Sequence, residues 1–86
     1  MAKESKKVNA GSRKFDAVAS ALAARLNLAV VQSTESVATF FGKSIQGHLV
    51  AVILRQGDAQ GTFTVDLKCS DARLASSLAK EVDTLF

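Results

Sequence analysis

Proline, tryptophan and tyrosine are absent from these 86 residues, and cysteine and histidine occur once each. Without proline, nothing in the chain forces a helix to break or removes a strand's backbone donor. A single cysteine, Cys69, allows no intrachain disulfide, and a reducing, intracellular compartment fits that usage best. One histidine and one cysteine are too few for a zinc cluster, so no metal and no cofactor is expected. Gly11, Gly42, Gly47, Gly57 and Gly61 match neither dinucleotide-binding nor phosphate-loop spacing. Asp58, between two of those glycines, lacks the further carboxylates of a calcium loop. No apolar run reaches the ~18–20 residues that cross a bilayer. The charged start, Met1 to Lys7, is not followed by the apolar stretch of a secretory signal.

What is present is globular. Hydrophobic residues make up 48% and charged residues 22%, a balance that supports one domain with one core. The net charge of +3 is unevenly spread. Residues 1–14 hold Lys3, Lys6, Lys7, Arg13 and Lys14 against Glu4, while the remainder is close to neutral. The basic character therefore belongs to the N-terminal stretch, and a domain-wide nucleic-acid surface is not expected. Residues 1–11 carry no apolar periodicity and read as a flexible basic leader or linker. Residues 12–86 read as the folded domain.

Phe15, Val18, Ala19, Leu22 and Leu26 recur at intervals of three and four, the spacing of one helical face. Ser12 is placed to cap that helix and Asn27 to end it in the left-handed conformation. Leu28 to Val31, Val37 to Ile45, His48 to Gln56 and Thr62 to Cys69 read as four strands separated by polar or glycine-containing turns. Gly42 marks a bulge or a close approach. Ser70 is placed to cap a second helix, whose inward side is Leu74, Leu78, Val82 and Leu85, supported by Ala75. The expected architecture is α+β in two layers: helix, four-stranded antiparallel meander, helix, with both helices on one face of the sheet.

A register follows from the turns. If Gln46-Gly47 is a two-residue hairpin turn, Ile45 pairs with His48, Phe41 lies opposite Val52, and Lys43 lies opposite Val50. A loop spanning residues 57–61 places Gln56 opposite Thr62. The covered face then carries Phe40, Leu49, Ala51, Ile53, Phe63, Val65, Leu67 and Cys69. The open face carries Thr39, Phe41, Lys43, Val50, Val52, Leu54, Thr64, Asp66 and Lys68. An apolar patch of Phe41, Val50, Val52 and Leu54 in water marks a recognition surface or is the ordinary apolar share of a small protein's exterior. The candidate partner-binding residues are Thr39, Phe41, Lys43, Val50 and Val52.

Catalysis needs a nucleophile, an acid or base, or a metal. In this register His48 and Cys69 point to opposite faces, and no third group is evident to orient them. Buried free cysteine usually serves as a small hydrophobe. No catalytic residue is therefore assigned, and the chain is read as an interaction module. Phe41 is the sole aromatic of the expected open face, too few for base stacking, so no nucleic-acid partner is expected.

The run Val30-Val31-Gln32-Ser33 followed by Phe40-Phe41-Gly42-Lys43-Ser44-Ile45 resembles the first two strands of the C-terminal platform of β-adaptin appendages. That subdomain has a TATA-binding-protein-like fold. His48 to Arg55, Thr62 to Cys69 and the apolar helix after them are similar to its remainder. The spacing most resembles the β subunit of the third, endosome-to-lysosome adaptor complex. The resemblance implies a cytoplasmic domain of a vesicle-coat subunit, peripheral on Golgi or endosomal membranes, that recruits proteins through short peptide motifs. Where endocytic platforms grip peptides with tryptophan and tyrosine, this chain offers Thr39, Phe41 and Lys43, so any pocket differs in chemistry. The same face is also suited to docking on a neighbouring domain of a longer chain. The alternative is a membrane-surface module binding anionic lipid through the basic leader, Lys43 and Lys68.

Overall fold

A computed structural model describes residues 2–44 and 46–86. Among these residues the elements are β1 (Ala2–Asn9), α1 (Phe15–Leu26), β2 (Ala29–Ser33), β3 (Val37–Lys43), β4 (Leu49–Gln56), β5 (Thr62–Cys69) and α2 (Ala72–Leu85). All strand pairs are antiparallel, in the order β1-β5-β4-β3-β2. Phe15, Val18, Leu22 and Leu26 of α1 share one core with Ala75, Ala79 and Val82 of α2 and with one face of the sheet. The α+β, two-layer architecture is the one the periodicity predicts, with one strand more.

The extra strand corrects the reading of residues 1–11 as a flexible leader. Ala2 to Asn9 pair residue for residue with Cys69 back to Thr62. The connection through α1 carries the chain from this edge of the sheet to β2 at the opposite edge. Apolar periodicity misses β1 because Val8 alone of its side chains is buried apolar. Its attachment is polar instead: the backbone ladder to β5, and the Lys6 ammonium 2.8 Å from the Asp83 carboxylate of α2. The hydrogen bond to Asp83, with its charge, raises the Lys6 pKa above the ordinary lysine value of 10.5. A raised lysine pKa means that the pair contributes throughout the neutral range and is lost as pH rises through the raised value.

The second correction concerns β4. Phe41 lies opposite Ala51, Phe40 opposite Val52, and Lys43 opposite Leu49, one residue away from the two-residue-turn register. The hairpin closes at Ser44 and His48, whose backbones bond at 2.9 Å, with Gly47 N–H donating to the Ser44 carbonyl. Gly47 adopts φ +86°, the left-handed residue of a three-residue loop. The expected Ile45–His48 pairing lies outside the described residues. At the other end Gly57 pairs with Thr62, leaving residues 58–61 as the loop, shorter by one than expected. The two shifts turn β4 over and leave the parity of β3 and β5 intact. Val50, Val52 and Leu54 enter the core, while Leu49, Ala51 and Ile53 face outward.

Smaller differences concern the helix ends. Lys14, not Ser12, occupies the N-cap of α1 and makes no side-chain cap. Asn27 ends the helix in the left-handed region at φ 56°, as expected. Asp71, not Ser70, caps α2 by accepting from the Leu74 N–H, while the Ser70 hydroxyl accepts from the Leu49 N–H. The buried stripe of α2 is Ala75, Ala79 and Val82, with Leu74, Leu78 and Leu85 on its flanks. Arg25 of α1 bonds Glu81 and Thr84 of α2 and ties the helices together. Gly42 is a close-approach point, since a Cβ there would stand 2.5 Å from a Leu28 methyl.

Deleting residues 1–9 should destabilise the domain by more than about 3 kcal/mol, because it bares the β5 backbone and the edge of the core. Chemical denaturation of the two forms measures this; equal stabilities would mean that β1 is not part of the folded unit. The β4 orientation has its own test. Val52→Asp places a carboxylate among apolar side chains and should prevent stable folding, whereas Ile53→Asp, on the outer face, should leave a cooperative thermal transition. The reverse ranking would restore the two-residue-turn register.

Candidate protein-interaction surface

The face away from the helices can be read in rows across the strand order. One row is Lys3, Lys68, Ala51, Phe41 and Ala29; the next is Ser5, Asp66, Ile53, Thr39 and Gln32; a third is Lys7, Thr64, Arg55 and Val37. Lys43 and Leu49 pair at the hairpin end. Of the sequence-selected residues, Thr39, Phe41 and Lys43 lie on this face, with Phe41 47% exposed. Val50 and Val52 do not: at 3% and 0% exposure they belong to the core, because the longer hairpin loop turns β4 over. Leu49, 41% exposed, Ala51 and Ile53 take their places. The apolar centre is therefore real but built from the alternate residues of β4. Val31, at the register shift of β2, adds exposed apolar surface at that edge, while Val30 lies opposite Phe40 on the helix side.

Charge on this face is lopsided. Lys3, Lys7, Lys43, Arg55 and Lys68 outnumber the carboxylates near them: Asp66 lies among them, and Asp58 lines a hollow with Lys7 and Arg55 at the far end. The Asp66 carboxylate accepts from the Ser5 hydroxyl at 2.7 Å and lies 4.0 Å from the Arg55 guanidinium. Among the described residues the four lysines form no ion pair, while on the helix side Lys6 and Arg25 are paired with Asp83 and Glu81. A depression of 260 Å³ opens between Lys3, Ser5, Asp66, Lys68, Ile53 and Arg55. A second groove, of 240 Å³, lies at the helix layer between Leu26, Leu28, Lys43, Val50, Leu74 and Leu78. The lysines contributed by β1 are invisible to a reading that treats residues 1–11 as a leader. No alternation marks β1 in the sequence: Lys3, Ser5 and Lys7 face one way and Glu4, Lys6 and Val8 the other, with lysine in both sets.

Elsewhere, the Ser70 hydroxyl lies 3.4 Å from His48 Nδ1, and His48 Nε2 lies 4.0 Å from the Asp71 carboxylate. This serine, histidine and aspartate are engaged structurally: Ser70 holds the Leu49 N–H and Asp71 caps α2. The cluster fastens the β3–β4 hairpin to the start of α2. Cys69 is fully buried, opposite Val50 on one side and Ala2 on the other. Among the described residues no three His, Cys, Asp or Glu side chains converge on a metal position, and no helix is long and apolar enough to cross a membrane.

A family model described as the AP3 Mu C-terminal domain matches residues 1–86. The chain belongs to that family. It is similar to the AP-3 complex subunit delta-1 of Bos taurus, 33% identical over 76 residues. That match covers 88% of this chain and 6% of the bovine protein. The resemblance seen in the sequence thus holds at the level of the AP-3 complex, and both names belong to subunits other than β. The AP-3 assignment places the domain among the adaptor complexes of vesicle-mediated protein transport. The family match begins at residue 1, and β1 is part of the AP-3 domain.

In this AP-3 domain Cys69 should be inert. Thiol labelling of the native protein should be slower than in denaturant by orders of magnitude, since it requires opening of the β1–β5–β4 core. Equal rates would show that the thiol is accessible.

Proposed function

We propose that this chain is a non-enzymatic protein-interaction domain of an AP-3 adaptor subunit, recruiting accessory or cargo-linked proteins in intracellular membrane traffic. The observation that carries the reading is the open face. Phe41, Leu49, Ala51 and Ile53 form an apolar centre there, within a rim of lysines that have no ion-pair partner among the described residues. An apolar centre with a polar, charged rim is the usual layout of a protein-recognition patch. The names of the related proteins supply the adaptor context. Membership of an AP-3 subunit is supported by the mu C-terminal family match and the delta-1 relative, and the two-layer sheet-and-helix form is the one the sequence shares with appendage platforms. Action at the cytoplasmic side of Golgi or endosomal vesicles is part of the proposal, and the AP-3 setting supports it. The occupant of the face is a partner protein or a neighbouring domain of a longer chain.

A second reading, attachment to anionic lipid, gains from one observation. β1 brings Lys3 and Lys7 onto the same face as Lys68 and Lys43, so the basic residues that seemed divided between a leader and a domain form one surface. Salt-sensitive flotation with phosphatidylserine vesicles, absent with neutral vesicles, would favour it.

Phe41→Ser separates binding from folding. It removes exposed apolar area without opening a cavity and should leave stability within about 1 kcal/mol. Capture of partner proteins from cytosol, quantified against the unaltered chain, should fall by about fivefold or more. Phe40→Ala, fully buried on the other side of the same strand, should instead cost ~3–5 kcal/mol. An unchanged set of captured proteins with Phe41→Ser would sink the open face as the interaction surface.

A further inference from the structure

Resting on the reading of the open face as a recognition surface, we propose that its basic half receives an acidic, partly apolar, extended peptide segment, with a carboxylate seated between Lys3 and Lys68. The β1–β5 register places these two lysines directly opposite each other on one face. Like charges so placed disfavour the pairing, and among the described residues no acid pairs with either. Glu4, their neighbour in sequence, is opposite Leu67 in the register, forms no ion pair with either lysine among the described residues, and contributes to the lining of the depression beside them. The arrangement sets two cations side by side without an acidic partner among the described residues, which a bound carboxylate would bridge. The depression beside the pair is lined by Ile53 and Arg55 but also by Glu4 and Asp66, so the carboxylate sits at its Lys3–Lys68 edge and the apolar part of the segment over Ile53.

The row that begins with these lysines continues through Ala51 to Phe41. Strands lie about 4.8 Å apart, so Lys68 and Phe41 are about 10 Å apart across the sheet. An extended chain advances about 3.3 Å per residue. A segment lying across the strands thus places an apolar side chain on Phe41 three to four residues from a carboxylate seated between Lys3 and Lys68, about 12 Å away. A peptide is favoured over a flat anionic membrane by Asp66. The Ser5 hydroxyl and the Arg55 guanidinium hold that carboxylate within the basic half, where a continuous sheet of headgroup charge would be pressed against it. A peptide can place its carboxylates away from Asp66.

The test is a titration of the isotope-labelled 86-residue chain, followed by amide chemical shifts. The probes are a blocked peptide of repeated Glu-Glu-Ser-Leu units, its Lys-Lys-Ser-Leu counterpart, and phosphatidylserine-containing vesicles. Shifts at Lys3, Lys68, Ala51 and Phe41 with the acidic peptide alone, weakening as salt is raised, are the expected result. Lys68→Glu should reduce that affinity by about fivefold or more. It should leave the unfolding midpoint unchanged or raised, because it turns a like-charged cross-strand pair into an opposite one. A merely structural lysine would not separate the two readouts in this way. Loss of binding with Phe41→Ser but not with Lys68→Glu would overturn the acidic occupant and leave the open face as the recognition surface. Binding unaffected by either variant would overturn both. Shifts confined to the helix-side groove, no shifts with the peptide, or vesicle binding in place of peptide binding would equally overturn the proposal.

Discussion

Everything on the two faces of this domain depends on which side of β4 meets the helices. Leu49 to Leu54 is apolar at every position, so the strand can be buried on either face with nearly the same loss of exposed area. Side chains alternate with a period of two, and a shift of one residue exchanges the entire set. The choice is made outside the strand, by the loops at its ends. Gly47 in the left-handed region closes a three-residue hairpin loop, and the Gly57–Thr62 bond shortens the loop beyond β4. Val50, Val52 and Leu54 then pack under α1 and α2, and Leu49, Ala51 and Ile53 become available to a partner.

The strands on either side of β4 could be read with less ambiguity. Thr62 to Cys69 alternates polar and apolar without exception, and the structure buries Phe63, Val65, Leu67 and Cys69 as that pattern requires. Phe40 and Phe41 are adjacent, so one must face each way, and the burial of Phe40 agrees in both registers. Two mutually consistent turn assignments placed β4 wrongly because each was in error by one residue and both errors fell on the same strand. Their agreement tested the parity of β3 against β5 and could not test β4. Arg55, near the end of β4, is the one charge that bears on the tie: it shares a face with Leu49, Ala51 and Ile53 and lies exposed, as the structure requires.

β1 was hidden for a different reason. Strand recognition from sequence rests on apolar alternation, and an edge strand whose inward side chains meet the polar side of a helix has little of it. Glu4 and Lys6 occupy inward positions, and Lys6 meets Asp83 of α2 instead of the core. The pairing is held by backbone hydrogen bonds to β5, which carry no sequence signature. A run of charged residues at a chain end therefore reads as solvated leader even where it completes a sheet.

Placing β1 in the sheet also changes what its lysines mean. On a flexible leader they would be dispersed and screened. On a strand, Lys3 takes a fixed position opposite Lys68 and Lys7 one opposite Thr64, both facing away from Lys6. The alternation of the strand thus sorts the charges: the inward lysine finds Asp83 and contributes to the fold, while the outward lysines remain without an acidic partner among the described residues. The same sorting operates in β4, where the inward residues complete the core and the outward ones form the apolar centre. The open surface is what remains after each strand has satisfied its inner side, and its exposed apolar groups and lysines without an ion pair among the described residues are the outward half of that alternation.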